Sequence, residues 1–155
     1  MACIHKRLGR SITIMQRVRF KAYGHENIIG EHKTTVELTS EKQLTKQGTC
    51  IVGVRSEITL NELSPEIKRL ASLSNTKIIL RMDVDGQNEE IIGTGSPGLT
   101  YGDSTSMVSR TSAFECGRTL MVNANKAASD LSRDFVKRLK VSGVVIECEL
   151  VYITQ

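Results

Sequence analysis

The sequence contains no tryptophan, and aromatic residues make up only 4% of it. Proteins that hold single-stranded nucleic acid stack bases on aromatic rings, and Phe20, Tyr23, Tyr101 and Phe114 are too scattered to build such a platform. No apolar run approaches the roughly 20 residues that span a bilayer, so no membrane partner is expected. The first residues, MACIHKRLGRSI, are basic but lack a secretory signal's apolar core of about 7–15 residues. The four cysteines, Cys3, Cys50, Cys116 and Cys148, form no CxxC pair, which excludes a zinc ribbon or finger. There is no phosphate-binding G-x-x-x-x-G-K-[ST] loop. No Ser-His-Asp pattern and no carboxylate pair suited to glycoside chemistry can be read from the spacing. No internal repeat and no low-complexity segment is visible, so one domain over residues 15–155 is expected behind an N-terminal arm, residues 1–14. Free thiols without a signal indicate a reducing, cytoplasmic setting.

Charge of one sign is also missing locally. Lys6, Arg7, Arg10, Arg17, Arg19 and Lys21 all precede the first acidic residue, Glu26. The remaining fifteen basic residues meet seventeen acidic ones, so the net charge of +4 belongs to the N-terminal end. A basic face over the whole domain is not supported. The arm alone is the candidate contact for RNA, with a solvated tail as the simpler reading.

What is present is strand pattern. Residues 16–23 alternate Val18, Phe20 and Ala22 with Arg17, Arg19 and Lys21. Residues 33–39 alternate again, residues 49–54 form a short apolar run, and residues 105–111 and 118–122 are shorter strands. Residues 77–93 predict a hairpin about Asp85-Gly86. Residues 143–153 alternate strongly, with Cys148 on the parity of Ile146 and Leu150. Cys50 shares the parity of Val52 and Val54, and both cysteines read as small buried apolar groups. Ser64-Pro65-Glu66 predicts a helix start, and Asn125–Lys140 a second helix with a break near Ser132. Strands and helices do not alternate as βαβ units. The expected fold is mainly β with two helices, an antiparallel β-sandwich of jelly-roll-like form. An exposed edge strand of such a sheet offers a route to a homodimer.

Candidate chemistry falls in three places. GHENIIGEH carries two of the three histidines, His25 and His32. If 16–23 and 33–39 form a hairpin, residues of odd and even number face opposite sides, so His25 and His32 diverge unless Gly30 makes a bulge. No metal site is therefore assigned, and each histidine reads first as a hydrogen-bonding group. GTGSPGLTYGDS, residues 93–104, has the spacing of a dinucleotide loop but leads towards a strand rather than a helix, so no nucleotide cofactor is expected. Its backbone N–H groups suit an anion, although a plain connecting loop is the simpler reading. Arg110 and Arg118 suit carboxylate or phosphate. The start of the second helix, near Asn125 and Lys126, is expected to form half of an anion pocket. Cys116, outside any apolar stripe, is the candidate reactive thiol of the domain.

Three segments in order, KAYGHENIIGEHKTTVELT, GTCIVGV and CGRTLMVNANKAASDL, resemble the archaeal proteins grouped as domain of unknown function 371. The likeness covers about residues 16–152. It implies a compact β-sandwich of jelly-roll type with accompanying helices, and no established activity. Carried over motif by motif, it marks His25, Asn27, His32, Thr34, Arg118, Lys126 and Asp130. Similar sequences often carry Asp where this chain has Thr49 and Asn125, which puts a carboxylate role at those positions in doubt. The combined expectation is a small anionic or phosphate-bearing ligand held by His25, Asn27, His32, Thr34, Arg110, Arg118 and Lys126, with histidine as acid or base if the protein is an enzyme. The alternative is an RNA- or protein-binding module that uses the arm. No cofactor is implied.

Overall fold

The structure, a computed structural model, describes residues 2–8 and 11–155, with side chains from residue 12 onward. The elements run β1 (Ala2–Leu8), β2 (Ser11–Tyr23), β3 (Thr35–Thr39), β4 (Ile51–Gly53), α1 (Pro65–Ala71), β5 (Lys77–Val84), β6 (Gln87–Thr94), β7 (Ser106–Arg110), β8 (Thr119–Met121), α2 (Arg133–Leu139) and β9 (Val145–Thr154). Short 3-10 turns at Leu60–Glu62 and Ala128–Asp130 precede the two helices. The protein is mainly β with two helices and two sheets. One sheet is antiparallel throughout, in the order β1-β2-β9-β5-β6. The other, β4-β3-β7-β8, places an antiparallel centre between two parallel pairs. Single bridges, Tyr23–Val54 and Thr94–Val122, tie the sheets together at two corners.

Alternation explains the large sheet. Val18, Phe20, Ala22, Ile78, Leu80, Met82, Ile146, Cys148 and Leu150 are buried in one cluster, with Cys148 as the expected apolar filler. On the other face Glu149 lies between Arg19 at 2.9 Å and Arg81 at 3.1 Å, and Arg81 also reaches Glu90 at 2.7 Å. Opposite charges on facing strands suit a wet sheet face, although such pairs contribute little each. The expected 77–93 hairpin is present. Asp85 and Gly86 both take positive φ, 51° and 81°, as a tight two-residue turn requires.

Three expectations are corrected. Residues 16–23 and 33–39 do not form a hairpin: β2 pairs with β1 and β9, while β3 pairs with β4 and β7 in the other sheet. His25 therefore follows a strand of one sheet and His32 precedes a strand of the other, and strand parity does not relate them. Gly30 does have φ of +63°, but it sits in the connection between β2 and β3, not as a bulge in a strand. The second helix is also shorter than Asn125–Lys140. It starts at Arg133, because Ser132 caps it by accepting from Phe135 N–H at 3.5 Å, and residues 128–130 form their own turn with Asp130 accepting from Ala127 N–H at 2.9 Å.

Third, the fold contains a repeat where none is visible in the sequence. The chain folds as two equivalent halves, β2–β5 and β6–β9. Each runs through a long strand, a strand, a parallel strand, a 3-10 turn, a helix and a closing strand. The pairings correspond: β2 lies on β9 as β6 lies on β5, and Tyr23–Val54 matches Thr94–Val122. So do individual hydrogen bonds. Gly24 N–H donates to Val144 O and His25 N–H to Leu139 O; Gly95 N–H donates to Thr76 O and Ser96 N–H to Ala71 O. Lys21 N–H bonds the Glu57 side chain, and Ile92 N–H bonds the Asn125 side chain. Both left-handed residues that follow the corner bridges, Arg55 at φ 52° and Asn123 at φ 54°, stand at matching positions. This is a pseudo-twofold fold with Glu37 opposite Val108 and Arg81 opposite Glu149 on its axis.

Residues 2–8 add β1 to the edge of β2 outside both halves. The side chains of Lys6 and Arg7, and Arg10 altogether, lie outside the described residues. No helix among the described residues is long and apolar enough to cross a membrane.

Candidate functional site

The two histidines serve separate turns. His25 Nδ1 accepts from Asn27 N–H at 3.0 Å, and the Asn27 amide donates to Leu44 O at 2.7 Å. His32 Nδ1 accepts from Thr34 N–H and Thr35 N–H, each at 3.2 Å, and lies 2.9 Å from the Thr35 hydroxyl. A ring nitrogen that accepts from backbone N–H carries no proton, so the neutral tautomer of each ring is the Nε2–H form. The other half shows what His32 does. There Asp103 takes the matching place, and its carboxylate accepts from Thr105 and Ser106 N–H at 3.0 and 2.7 Å. His32 is thus a turn acceptor that organises the start of β3, with Thr34 exposed beside it. Among the described residues, no three His, Cys, Asp or Glu side chains gather as they would around a metal ion.

The remaining expected residues are spread over the surface and do not join the histidines. Lys126 pairs with Glu89 at 2.8 Å, and Glu89, 8% exposed, also accepts from Ser132 N–H at 2.6 Å. That carboxylate fastens the α2 cap to β6, and Lys126 compensates its charge. With α2 starting at Arg133, no helix N-terminus stands near Asn125 and Lys126 to form the expected pocket half. Asn125 instead holds Ile92 N–H through its side-chain oxygen at 2.9 Å. Arg110 donates to the Thr119 hydroxyl at 2.8 Å and to Cys116 Sγ at 3.4 Å, and its guanidinium covers the Phe114 ring at 4.7 Å. Burial raises the Cys116 pKa, but bonds from Thr119, from Arg118 N–H and from Arg110, with the Arg110 charge, outweigh it and leave the thiol below its ordinary value. Cys50 differs, being pushed up to about 11 by burial and by the Glu37 carboxylate. Arg118 projects into solvent. The glycine-rich stretch is a packed connection: Ser96 and Gly98 give their hydroxyl and N–H to Glu115 at 2.5 and 2.6 Å.

One concavity does gather basic groups. A cleft of about 320 Å³ is lined by Gly24, His25, Lys42, Gln43, Val54, Arg55, Ser142 and Gly143, with no carboxylate in its wall. The β2 end brings His25, the β4 end brings Arg55, and the connection after β3 brings Lys42. The Arg55 guanidinium lies 4.2 Å above the Tyr23 ring, a cation–π contact. The concavity by Arg81 and the one by Arg138 mix acidic with basic walls, and that by Lys77 has a single basic group.

Sequence reasoning found His25 and missed Lys42 and Arg55. Arg55 ends an apolar run, and nothing in its neighbours announces a left-handed arginine. Lys42 stands in a polar connection that reads as solvated surface.

The family model described as domain of unknown function (DUF371) matches residues 20–153. An uncharacterised protein of Methanocaldococcus jannaschii is 45% identical over 121 residues, covering 77% of this chain and 88% of the relative.

Proposed function

The chain belongs to the domain of unknown function 371 family, and from that premise we propose that it binds a small anionic ligand in the cleft of His25, Lys42 and Arg55. One observation carries the reading: two fixed positive charges and an imidazole line a concavity that has no carboxylate to neutralise them. The pseudo-twofold supplies an internal control. The matching positions in the second half are Ser96, Ala113 and Asn123, and the backbone bonds there are the same. The scaffold therefore stands without cations at these three places, and their presence in one half calls for a reason other than folding.

Of the residues first singled out, His25 enters the proposed site and Asn27 orients it. His32, Arg110 and Lys126 make other contacts, and Thr34 and Arg118 do not line this cleft. Binding of RNA or protein through residues 1–14 rests on Lys6, Arg7 and Arg10, whose side chains lie outside the described residues, and gains no support. We also read the two sheets as sandwich-like layers over one apolar cluster, with the parallel pairs and corner bridges departing from a jelly-roll. A thermal-shift screen of phosphates, sulfate and carboxylates tests the proposal. It expects stabilisation that rises with anion concentration at constant ionic strength. Equal midpoints in chloride and in every other anion contradict it.

A further inference from the structure

We infer that the ligand of this cleft is a phosphate monoester, bound as its dianion and gripped chiefly by Arg55, at one site per chain. The inference rests on the anion-binding reading and narrows it to a ligand class.

Charge comes first. Lys42 and Arg55 contribute two fixed positive charges and the lining contributes no negative one, so a dianion is matched and a monoanion leaves one cation over. Donor geometry comes second. The Arg55 guanidinium rests over the Tyr23 ring at 4.2 Å, and its planar fork can present parallel N–H groups to two oxygens of one phosphate or carboxylate. Lys42 adds an ammonium. His25 adds Nε2–H, since its Nδ1 is committed to Asn27 N–H. Three donor groups from three chain segments suit the three terminal oxygens of a phosphate monoester better than the two of one carboxylate. Size comes third. About 320 Å³ takes a phosphate with a small organic body.

Backbone conformation sharpens the role of Arg55. Its φ of 52° lies in the left-handed region, where asparagine and glycine are easier to place. The second half has Asn123 there, at φ 54°. An arginine at this position costs more backbone energy than the asparagine of the twin position. The cost is understandable if the guanidinium is needed at the mouth of the cleft. The commitment of His25 Nδ1 also separates recognition from catalysis, because that nitrogen is not free to take a proton from a substrate.

The test is calorimetric titration of the full chain with glycerol 2-phosphate, inorganic phosphate and succinate at fixed ionic strength. Glycerol 2-phosphate is expected to bind once per chain and more tightly than succinate. Arg55→Asn, which installs the residue of the twin position, is expected to raise Kd at least about ten-fold. Lys42→Ala weakens binding in the same direction, and Asn123→Gly leaves Kd unchanged. Succinate binding as tightly as the ester overturns the phosphate assignment and leaves the anion reading standing. Binding of inorganic phosphate without the ester overturns the monoester. An unchanged Kd in Arg55→Asn overturns the role given to that residue. No heat with any probe overturns both the inference and the reading beneath it.

Discussion

Gly24→Ala and Gly95→Ala are each expected to lose about 3 kcal/mol of stability, and by similar amounts. Neither glycine is needed for a left-handed backbone. Each is needed because the end of a long strand lies directly on the carbonyls that finish a helix. A Cβ on Gly24 would stand 2.6 Å from Val141 O and against Leu139 O; one on Gly95 would stand 2.5 Å from Ala71 O and against Leu73 O. The last carbonyls of a helix have no partner within it. Here the strand end supplies one: His25 N–H reaches Leu139 O at the end of α2, and Ser96 N–H reaches Ala71 O at the end of α1. A methyl group pushes the strand away and loosens these bonds, so overpacking and lost hydrogen bonds add. Urea unfolding of the two variants measures both effects. A loss at Gly24 with Gly95→Ala tolerated within about 1 kcal/mol would contradict the equivalence of the halves.

His32→Leu is expected to lose about 2 kcal/mol, while His32→Asp stays within about 0.5 kcal/mol of the parent. Leucine leaves Thr34 and Thr35 N–H without the ring nitrogen that now accepts from them, and Thr35 is a buried residue at the start of β3. Aspartate restores an acceptor in the form the protein already uses at Asp103. The pair of variants separates a turn acceptor from a ligand-binding imidazole. If the Asp variant is as unstable as the Leu variant, the ring itself is required and the account of His32 is wrong.

Strand positions were legible because alternation is a strong local signal. The core faces of β2, β5 and β9 follow from Val18, Phe20, Ile78, Leu80, Ile146 and Leu150 alone. The helix start at Ser64-Pro65 was equally plain. Pairing was not legible. Residues 16–23 and 33–39 are neighbours in sequence, yet β2 finds β9 far along the chain, since each half closes on the other. The duplication itself hides in the sequence. Its halves agree at only a few scattered positions, among them Gly24 with Gly95, Thr34 with Thr105, Val54 with Val122, Leu63 with Leu131, Ser64 with Ser132 and Ile78 with Ile146. A carboxylate in one half is replaced by an imidazole in the other, as at Asp103 and His32, so conserved geometry does not appear as conserved letters. The cleft stayed hidden for the same reason. Arg55 becomes a candidate only when its left-handed backbone and its neutral twin are both seen.

The most direct measurement is an amide chemical-shift map of the labelled protein titrated with inorganic phosphate. The account predicts saturable shifts at Gly24, His25, Lys42, Arg55 and Gly143, with Gly95, Ser96, Ala113 and Asn123 unmoved. Equal shifts in both halves, or shifts centred on Arg110, Arg118 and Lys126 instead, would contradict it.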